Sequence, residues 1–337
     1  MHYTKEKIEQ LRHRWTTTKG KKLIKTIKTS RCYLSPVLFR EKVHNFPGIN
    51  DEEVKDDIDL RGAPLSGFDF RVAVVEDDDG FTENIAILSN IHFEGAILKS
   101  CNFQDAKLYD CYFERAEIEH AEFKNATLNN CQFQESECTG INLQSSKLIN
   151  CSFDDCTIKD VVLDHTIIDE KTSFGNLLKS EKTGNYHFAS IEYKQIKEMY
   201  KNSSLHNLAD DYHYKEMVAK RKLAPITKVN RWLNFFFGDL LCKYGTSFGR
   251  VLFWSLVLIV ACAGIYTNHE GLLYQNQEVP PSFLSSLYFS IVTFTTLGYG
   301  DFHAVGGIRF VAAAESFIGA ALIALFTVIV ARAIIRD

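Results

Sequence analysis

The 337-residue sequence predicts a multidomain chain: a square β-coil in the middle and an α-helical membrane module at the C-terminal end. Two patterns predict this. An apolar residue recurs at every fifth position from Leu88 to Ile168. Further on, two long apolar runs, Phe248–Thr267 and Ile308–Ile335, bracket a shorter one and the stretch Thr295-Thr296-Leu297-Gly298-Tyr299-Gly300-Asp301. Four parts are expected: a basic helical segment over 1–57, the coil over 58–170, a helical hairpin and connector over 171–230, and the membrane module over 231–337.

The net charge of −4 is unevenly placed. Residues 1–45 carry twelve Lys and Arg against three Glu, and 51–59 then turn acidic. None of the nine cysteines forms a CxxC pair, and five fall in one column of the repeat. This is cysteine used as a small buried apolar residue, as in a reducing cytosol. Met1–Arg14 has no apolar h-region, so no cleavable signal is expected and the N-terminus is expected to stay cytoplasmic.

Residues 4–28 show a sparse apolar face of Ile8, Leu11, Trp15, Leu23, Ile24 and Ile27, and Gly20 is expected to split it into two short helices. A basic amphipathic stretch suits anionic lipid or nucleic acid. The weak apolar moment favours docking on the next domain instead.

The period-five column runs through Leu88, Phe93, Leu98, Phe103, Leu108, Phe113 and onward to Ile168, seventeen apolar residues in step. With 46% apolar residues, chance gives this on the order of one time in a million. Two residues before each centre stands a second column, mostly Ala, Cys and Ser from Ala86 to Cys156. A period of five fits neither helix nor straight strand, so the chain must turn after each short extended piece. Four such pieces close a square, with the large and small columns filling its interior. Leu60, Leu65 and Phe70 belong to the same pattern, and the acidic insertion Arg71–Glu83 breaks its phase. The whole resembles the pentapeptide-repeat family, which implies a right-handed quadrilateral β-helix of about four coils. Stacked coils need caps, and either the insertion or the N-terminal helices is expected to supply one. Residues 86–168 carry thirteen acidic and six basic side chains. Some pentapeptide-repeat proteins mimic DNA, but a membrane module is pointless for a soluble mimic. The acidity is read as a solvated surface, and nucleic acid is not an expected partner.

The repeat is expected to stop at Ile168. Ile191, Tyr193, Ile196, Met199 and Tyr200 then fall near one helical face, Asn202-Ser203-Ser204 turns the chain, and Leu205–Arg221 carries Leu208, Ala209, Tyr212, Met217 and Val218. A helical hairpin is expected, since one hairpin is too few for a tetratricopeptide array. Lys220, Arg221, Lys222, Lys228 and Arg231 precede Trp232-Leu233-Asn234-Phe235-Phe236-Phe237, the pattern of a cytoplasmic interfacial segment.

Phe248–Thr267 is long enough to span the hydrocarbon core, with Trp254 and Tyr266 toward its ends. Ile308–Ile335 is the second span. Lys220 to Lys243 precede the first and Arg332 and Arg336 follow the second, which places both flanks and both termini in the cytoplasm. The polar link Asn268–Pro281 is then external. Ser282–Thr295 is apolar but too short to cross, so it reads as a re-entrant helix. Its C-terminal end directs a partial negative charge at the cavity, which favours a cation there.

Two threonines, then Leu297-Gly298-Tyr299-Gly300-Asp301, complete the module. Glycine tolerates positive φ, so alternating handedness points successive carbonyls to one side. The stretch resembles the selectivity filter of potassium channels, with Leu297 in place of the usual valine or isoleucine. That resemblance implies a homotetramer in the cell inner membrane, in contact with lipid, with K+ as the permeant ion and no cofactor. It implies that the carbonyls of Thr296, Leu297, Gly298 and Tyr299 form the K+ sites and that Gly300 permits the backbone geometry. Asp301 would anchor the outer mouth, with Thr295 as further support and Tyr288 and Phe289 bracing the filter from behind through packing with Tyr299. Val292 stands where some members have a glutamate, and Ala304 replaces a common proline. Gly319 is a candidate gating hinge or a small packing residue. Glu315 is an intramembrane carboxylate and a candidate brace of the filter.

The expected function is a potassium-selective channel, not an enzyme, with a cytoplasmic repeat domain of structural or regulatory role that offers a surface to a protein or ligand. Two alternatives are a weakly selective cation channel and a membrane-tethered scaffold whose coil binds a protein partner.

Overall fold

The computed structural model describes residues 3–29, 54, 57–77, 80–85, 87–269, 272–274, 277–278 and 282–336. Ala86, most of the acidic run 51–59, residues 30–53 of the basic segment and parts of the 268–281 link lie outside the described residues. The chain divides into two compact units, Met1–Leu223 and Ala224–Asp337.

In the first unit, α1 (Lys5–Arg14) starts at Thr4, whose hydroxyl accepts from the Lys7 amide at 3.2 Å. The break before α2 (Thr18–Thr29) falls at Trp15–Thr17 rather than at Gly20. Thr17 joins the two helices: its hydroxyl donates to the Arg14 carbonyl at the end of the first at 2.7 Å and accepts from the Gly20 amide at the start of the second at 3.1 Å. Gly20 has a different task. A Cβ there would stand 2.6 Å from the Arg14 carbonyl, so glycine permits a close crossing of the two helices.

The coil begins at β1 (Ile58–Asp59). The hairpin β2 (Val72–Asp77) and β3 (Gly80–Ile85) follows, then β4 (Ile87–Ser89) and β5 (Ile91–His92). Ile58 pairs with Ile91, 33 residues on, because the hairpin is the phase-breaking insertion within one coil. Thereafter the coil closes every 20 residues: β4, β6 (Lys107–Tyr109), β7 (Thr127–Asn129), β8 (Lys147–Ile149) and β9 (Ile167–Ile168) stack in parallel, with Leu88, Leu108, Leu128, Leu148 and Ile168 in register. Each side ends in a left-handed residue two positions after a centre, as at Asn90, Asp105, Asp110, Asn125 and Asn130. Asn, Asp and Gly dominate these corners because a short polar side chain or none tolerates positive φ.

Inside, Phe93, Phe113, Phe133 and Phe153 form one stacked ladder with centroids 4.6–4.9 Å apart, and Phe70, Phe103 and Phe123 form a second. The two ladders meet edge to face. Each such pair adds about 0.5–1.5 kcal/mol beyond its buried area. The described coil cysteines are buried and reduced, as their spacing predicts.

The repeat does not stop at Ile168. Phe174 stacks on Phe153 at 5.2 Å and Ser152 bridges Ser173, after a slip of one residue. The helical hairpin then seals this end: α3 (Lys179–Lys182) leads into α4 (Tyr186–Asn202) and α5 (His206–Leu223). Tyr200 and Tyr212 set their rings edge-on to Phe174, and the Tyr200 hydroxyl donates to the Thr172 carbonyl at 2.6 Å. Ile191 is 44% exposed and not on the buried face, which instead gains Ala189 and Ala219; Met217 and Val218 are only half-buried.

The N-terminal helices seal the other end. Trp15, Leu23 and Ile27 join the coil's core. Arg14 grips Asp59 with both terminal nitrogens (2.6 and 2.8 Å), Arg61 holds the same carboxylate at 3.0 and 3.1 Å, and Trp15 Nε1 donates to the Arg61 carbonyl at 2.7 Å.

The second unit opens with α6 (Val229–Leu233), a π-helical turn over Asn234–Leu240 and a short 3-10 turn at Lys243–Gly245. Trp232, Phe236 and Phe237 are exposed on this segment. Three helices follow: α7 (Phe248–Asn268), α8 (Phe283–Phe294) and α9 (Ile308–Arg336). At 1.5 Å per residue they measure about 31, 18 and 43 Å, so only α7 and α9 can cross a ~30 Å hydrocarbon core. Arg250 donates to the Asp239 carbonyl at 2.7 Å and Trp254 to that of Leu240 at 3.1 Å, which fixes the lead-in against the start of α7.

Candidate functional site

α8 begins after Ser282 and ends at Phe294, and the way it ends shapes everything after it. Thr295 is the last residue of helical conformation. Thr296 is left-handed (φ +57°), with its amide donating to the Thr293 carbonyl at 3.0 Å, and the Leu297 amide reaches back to that of Val292 at 3.1 Å. These two bonds make a Schellman cap, which usually places glycine at the left-handed position. A β-branched threonine there is strained, a cost of about 1–2 kcal/mol.

The backbone then alternates. Thr296, Gly298 and Gly300 have positive φ (57°, 56° and 79°), while Leu297 and Tyr299 between them do not. An ideal Cβ on Gly298 or Gly300 would meet nothing within 4 Å, so conformation and not crowding selects glycine at both. Leu297 and Tyr299 are 59% and 68% exposed within one chain.

Asp301 closes the stretch. Its Oδ1 accepts from the Phe302 amide at 3.0 Å, and its Oδ2 accepts from the Tyr288 hydroxyl of α8 at 2.9 Å. β10 (Leu272–Tyr274), β11 (Gln277–Glu278) and β12 (Phe302–Ala304) form a small sheet with β10 central, and the Tyr288 ring packs edge-on to Phe302 at 5.7 Å. Ala304 pairs with Leu272 there; a proline at that position would lack the N–H that a strand residue offers.

Behind the stretch the three helices meet at Glu315, which is 1% exposed. Its Oε2 accepts from the Tyr266 hydroxyl of α7 at 2.6 Å, and its Oε1 lies against the Ser290 hydroxyl of α8. One turn further along α9, Gly319 meets the end of α8: a Cβ would stand 2.3 Å from the Phe294 carbonyl oxygen. Pairs 290–315 and 294–319 are each one helical turn apart, so α8 and α9 are zipped together just before Thr295.

The structure thus brings Thr295 to Asp301 into one exposed, alternating strand with Tyr288 and Glu315 behind it. Within one chain Phe289 packs edge-on to Tyr266 at 5.0 Å, and Tyr266 is buried against Glu315. Gly319 lies in close helix packing. Ser290 was not singled out from the sequence, and Tyr266 was read only as a residue toward the end of its span; the available signal was a hydroxyl within each apolar run, within reach of the carboxylate of Glu315.

A family model described as "Ion channel" matches residues 252–336, and one described as "Pentapeptide repeat region" matches residues 86–163. The chain therefore joins an ion-channel segment of the two-span type to a pentapeptide-repeat coil, and it is a membrane protein. No curated protein matches it. Among solved structures, a pentapeptide repeat protein from the Arabidopsis thaliana thylakoid lumen is 20% identical, covering 37% of this chain and 75% of that one (TM-score 0.29). HetL from the cyanobacterium Nostoc sp. strain PCC 7120 is 20% identical over 32% of this chain and 48% of that one (TM-score 0.25). Rfr23 from the cyanobacterium Cyanothece 51142 is 12% identical over 42% of this chain and all of that one (TM-score 0.18).

Proposed function

We propose that four copies of this chain assemble around an axis into a potassium-selective channel of the cell inner membrane. The observation that carries this reading is the alternation of positive φ at Thr296, Gly298 and Gly300 directly after a re-entrant helix. Alternation turns successive carbonyls to one side. Repeated fourfold, the carbonyls of Thr296, Leu297, Gly298 and Tyr299 become rings that replace the hydration shell of K+. The strained threonine fits the same reading. Glycine would cap α8 more cheaply, but only threonine adds a hydroxyl to close the innermost ion site. The carbonyl end of α8 lends negative potential to the cavity below.

Support for assembly comes from the uncovered side chains of Leu297 and Tyr299, since a lone strand with two exposed large residues has nothing to hold it. Lys220 to Lys243 before α7 and Arg332 and Arg336 in the last turns of α9 orient both termini to the cytoplasm. The coil is then cytoplasmic, and its surface is open to a regulatory protein or ligand. Ion-channel and pentapeptide-repeat families are typically non-enzymatic.

Flux through the purified, reconstituted protein tests the proposal. Thallium and K+ should pass and Na+ should be excluded. Gly298→Ala places a Cβ on a left-handed residue at a cost of about 1–2 kcal/mol in every subunit. It should abolish thallium flux while leaving the protein folded; unchanged flux in that variant would sink the filter assignment.

A further inference from the structure

Among the described residues Glu315 has the Tyr266 and Ser290 hydroxyls as hydrogen-bond neighbours and no counter-ion. The Cys262 thiol of α7 faces the same carboxyl, and no described Lys, Arg or His contributes to its surroundings. α8 presents Ser290 to it and no titratable group. An ionised carboxylate buried in such a place without a cation is costly, whereas a neutral one needs only hydrogen bonds.

The contacts around Ser290 favour the neutral form. The Ser290 hydroxyl lies 2.9 Å from the Ile259 carbonyl oxygen of α7 and in hydrogen-bond contact with Glu315 Oε1. Both neighbours are acceptors if Glu315 is ionised, yet a serine hydroxyl carries one hydrogen. One contact would then set oxygen against oxygen with nothing between them. A proton on Oε1 makes both contacts hydrogen bonds: Glu315 donates to Ser290, Ser290 donates to the Ile259 carbonyl, and Tyr266 donates to Oε2.

We propose that Glu315 acts as a neutral carboxyl that ties α9 to the backs of α7 and α8, and so serves as a positioning residue for the filter. This rests on the filter reading above. Val292, at the position where a pore-helix carboxylate would face Asp301, is apolar and buried. The carboxyl that steadies the re-entrant helix therefore comes from the inner helix, one turn before the Gly319–Phe294 contact. Movement of α9 is thereby carried directly to the residues that precede Thr295.

The test uses the full chain, reconstituted, with K+ over Na+ permeability and infrared spectroscopy as independent readouts. Glu315→Gln keeps the shape and both roles, since its amide donates to Ser290 and its carbonyl accepts from Tyr266. It should keep the wild-type permeability ratio. Glu315→Leu strands the buried Tyr266 hydroxyl, leaves Ser290 without the donor it accepts from, and should reduce the ratio by roughly tenfold or more. Tyr266→Phe, which removes one hydroxyl and keeps the ring, should shift it in the same direction by less. The wild-type minus Glu315→Gln infrared difference should contain a protonated-carboxyl carbonyl band that shifts in D2O. A Gln variant as poor as the Leu variant, a fully selective Leu variant, or absence of that band would overturn the proposal. Wild-type protein without K+ preference would refute the filter reading instead, and the infrared band would still decide the state of Glu315.

Discussion

Replacing Gly319 by alanine separates two roles that a mid-helix glycine can play. In α9 an alanine at a free position should stabilise the helix by about 1 kcal/mol, because glycine loses more backbone entropy and packs nothing. Gly319 is not free: the new Cβ would lie 2.3 Å from the Phe294 carbonyl oxygen and 3.0 Å from its ring, against an ordinary contact of 3.4 Å or more. About 1 Å of separation between α8 and α9 is needed, and overpacking of this kind costs about 1–3 kcal/mol. The net effect is therefore a loss of up to about 2 kcal/mol per chain, with the end of α8 displaced from its place before the proposed filter. Gly264, one turn before the end of α7, is the internal control, since nothing lies within 4 Å of its ideal Cβ. Thermal unfolding of the detergent-purified protein should show Gly319→Ala melting below wild type and Gly264→Ala at or above it. K+ over Na+ selectivity should fall only in the first. A Gly319→Ala protein that melts higher than wild type, with selectivity intact and open probability altered, would refute the packing argument and restore the hinge.

Two further outcomes concern the ends of the coil. Asp59→Asn leaves the buried Arg14 and Arg61 guanidinia without their carboxylate, a loss of about 3–5 kcal/mol, so amides of α1 should exchange roughly a hundred- to several-thousand-fold faster by hydrogen-exchange mass spectrometry; exchange within tenfold of wild type would count against the clamp. In the wild type, burial pushes the Asp59 carboxyl up, but Arg14 and Arg61 outweigh it and hold the carboxyl below its usual range. The clamp's stability is thus present above about pH 4 and lost as pH falls through the lower folded value, so α1 should detach only in acid. At the other end, burial raises Glu192 to about 7 against the opposing hydrogen bond from Ser180. Its sign is the reverse. Stability falls as pH rises from about 4.5 to about 7 and then levels, so Glu192→Gln should flatten that slope and gain up to about 3 kcal/mol at pH 8 by urea unfolding.

The coil was legible in the sequence because a repeat states its geometry seventeen times. The five-residue step required a turn at every fifth position, and Asn, Asp and Gly stand at most of the left-handed corners. What the pattern did not carry was non-repetitive. Gly20 looked like a helix breaker by propensity, while its real constraint is the Arg14 carbonyl of another helix. Ile191 satisfied the helical period, yet Ala189, Tyr193, Ile196, Met199 and Tyr200 of that helix join the coil's core and Ile191 does not. In the second unit, helix bounds and the Thr295–Asp301 stretch followed from length, apolarity and glycine spacing. The partners behind the stretch depended on how three helices rotate about their axes. Periodicity within one helix leaves that undetermined, which is why the contact of Phe289 with Tyr266 within one chain was not foreseen.

One chain holds its candidate filter only at the two ends. The Schellman cap fixes where the strand leaves α8, and Tyr288 and the Phe302 amide fix Asp301 where it ends. Between them, Leu297 to Gly300 are exposed, and both glycines have open space around them. Left-handed backbone at alternate residues stores strain, and strain persists only where the surroundings over-determine it. Nothing in the described residues of a single chain does so for Leu297 to Gly300. The middle of the strand must therefore be set by what faces it, and for a proposed ring of four copies that means three other strands and the ions between them. On this reasoning the strand should be ordered by assembly and by K+ together. Hydrogen exchange at Gly298–Gly300 should slow when K+ replaces Na+ in the reconstituted protein, and exchange indifferent to the ion would detach the alternating backbone from ion binding.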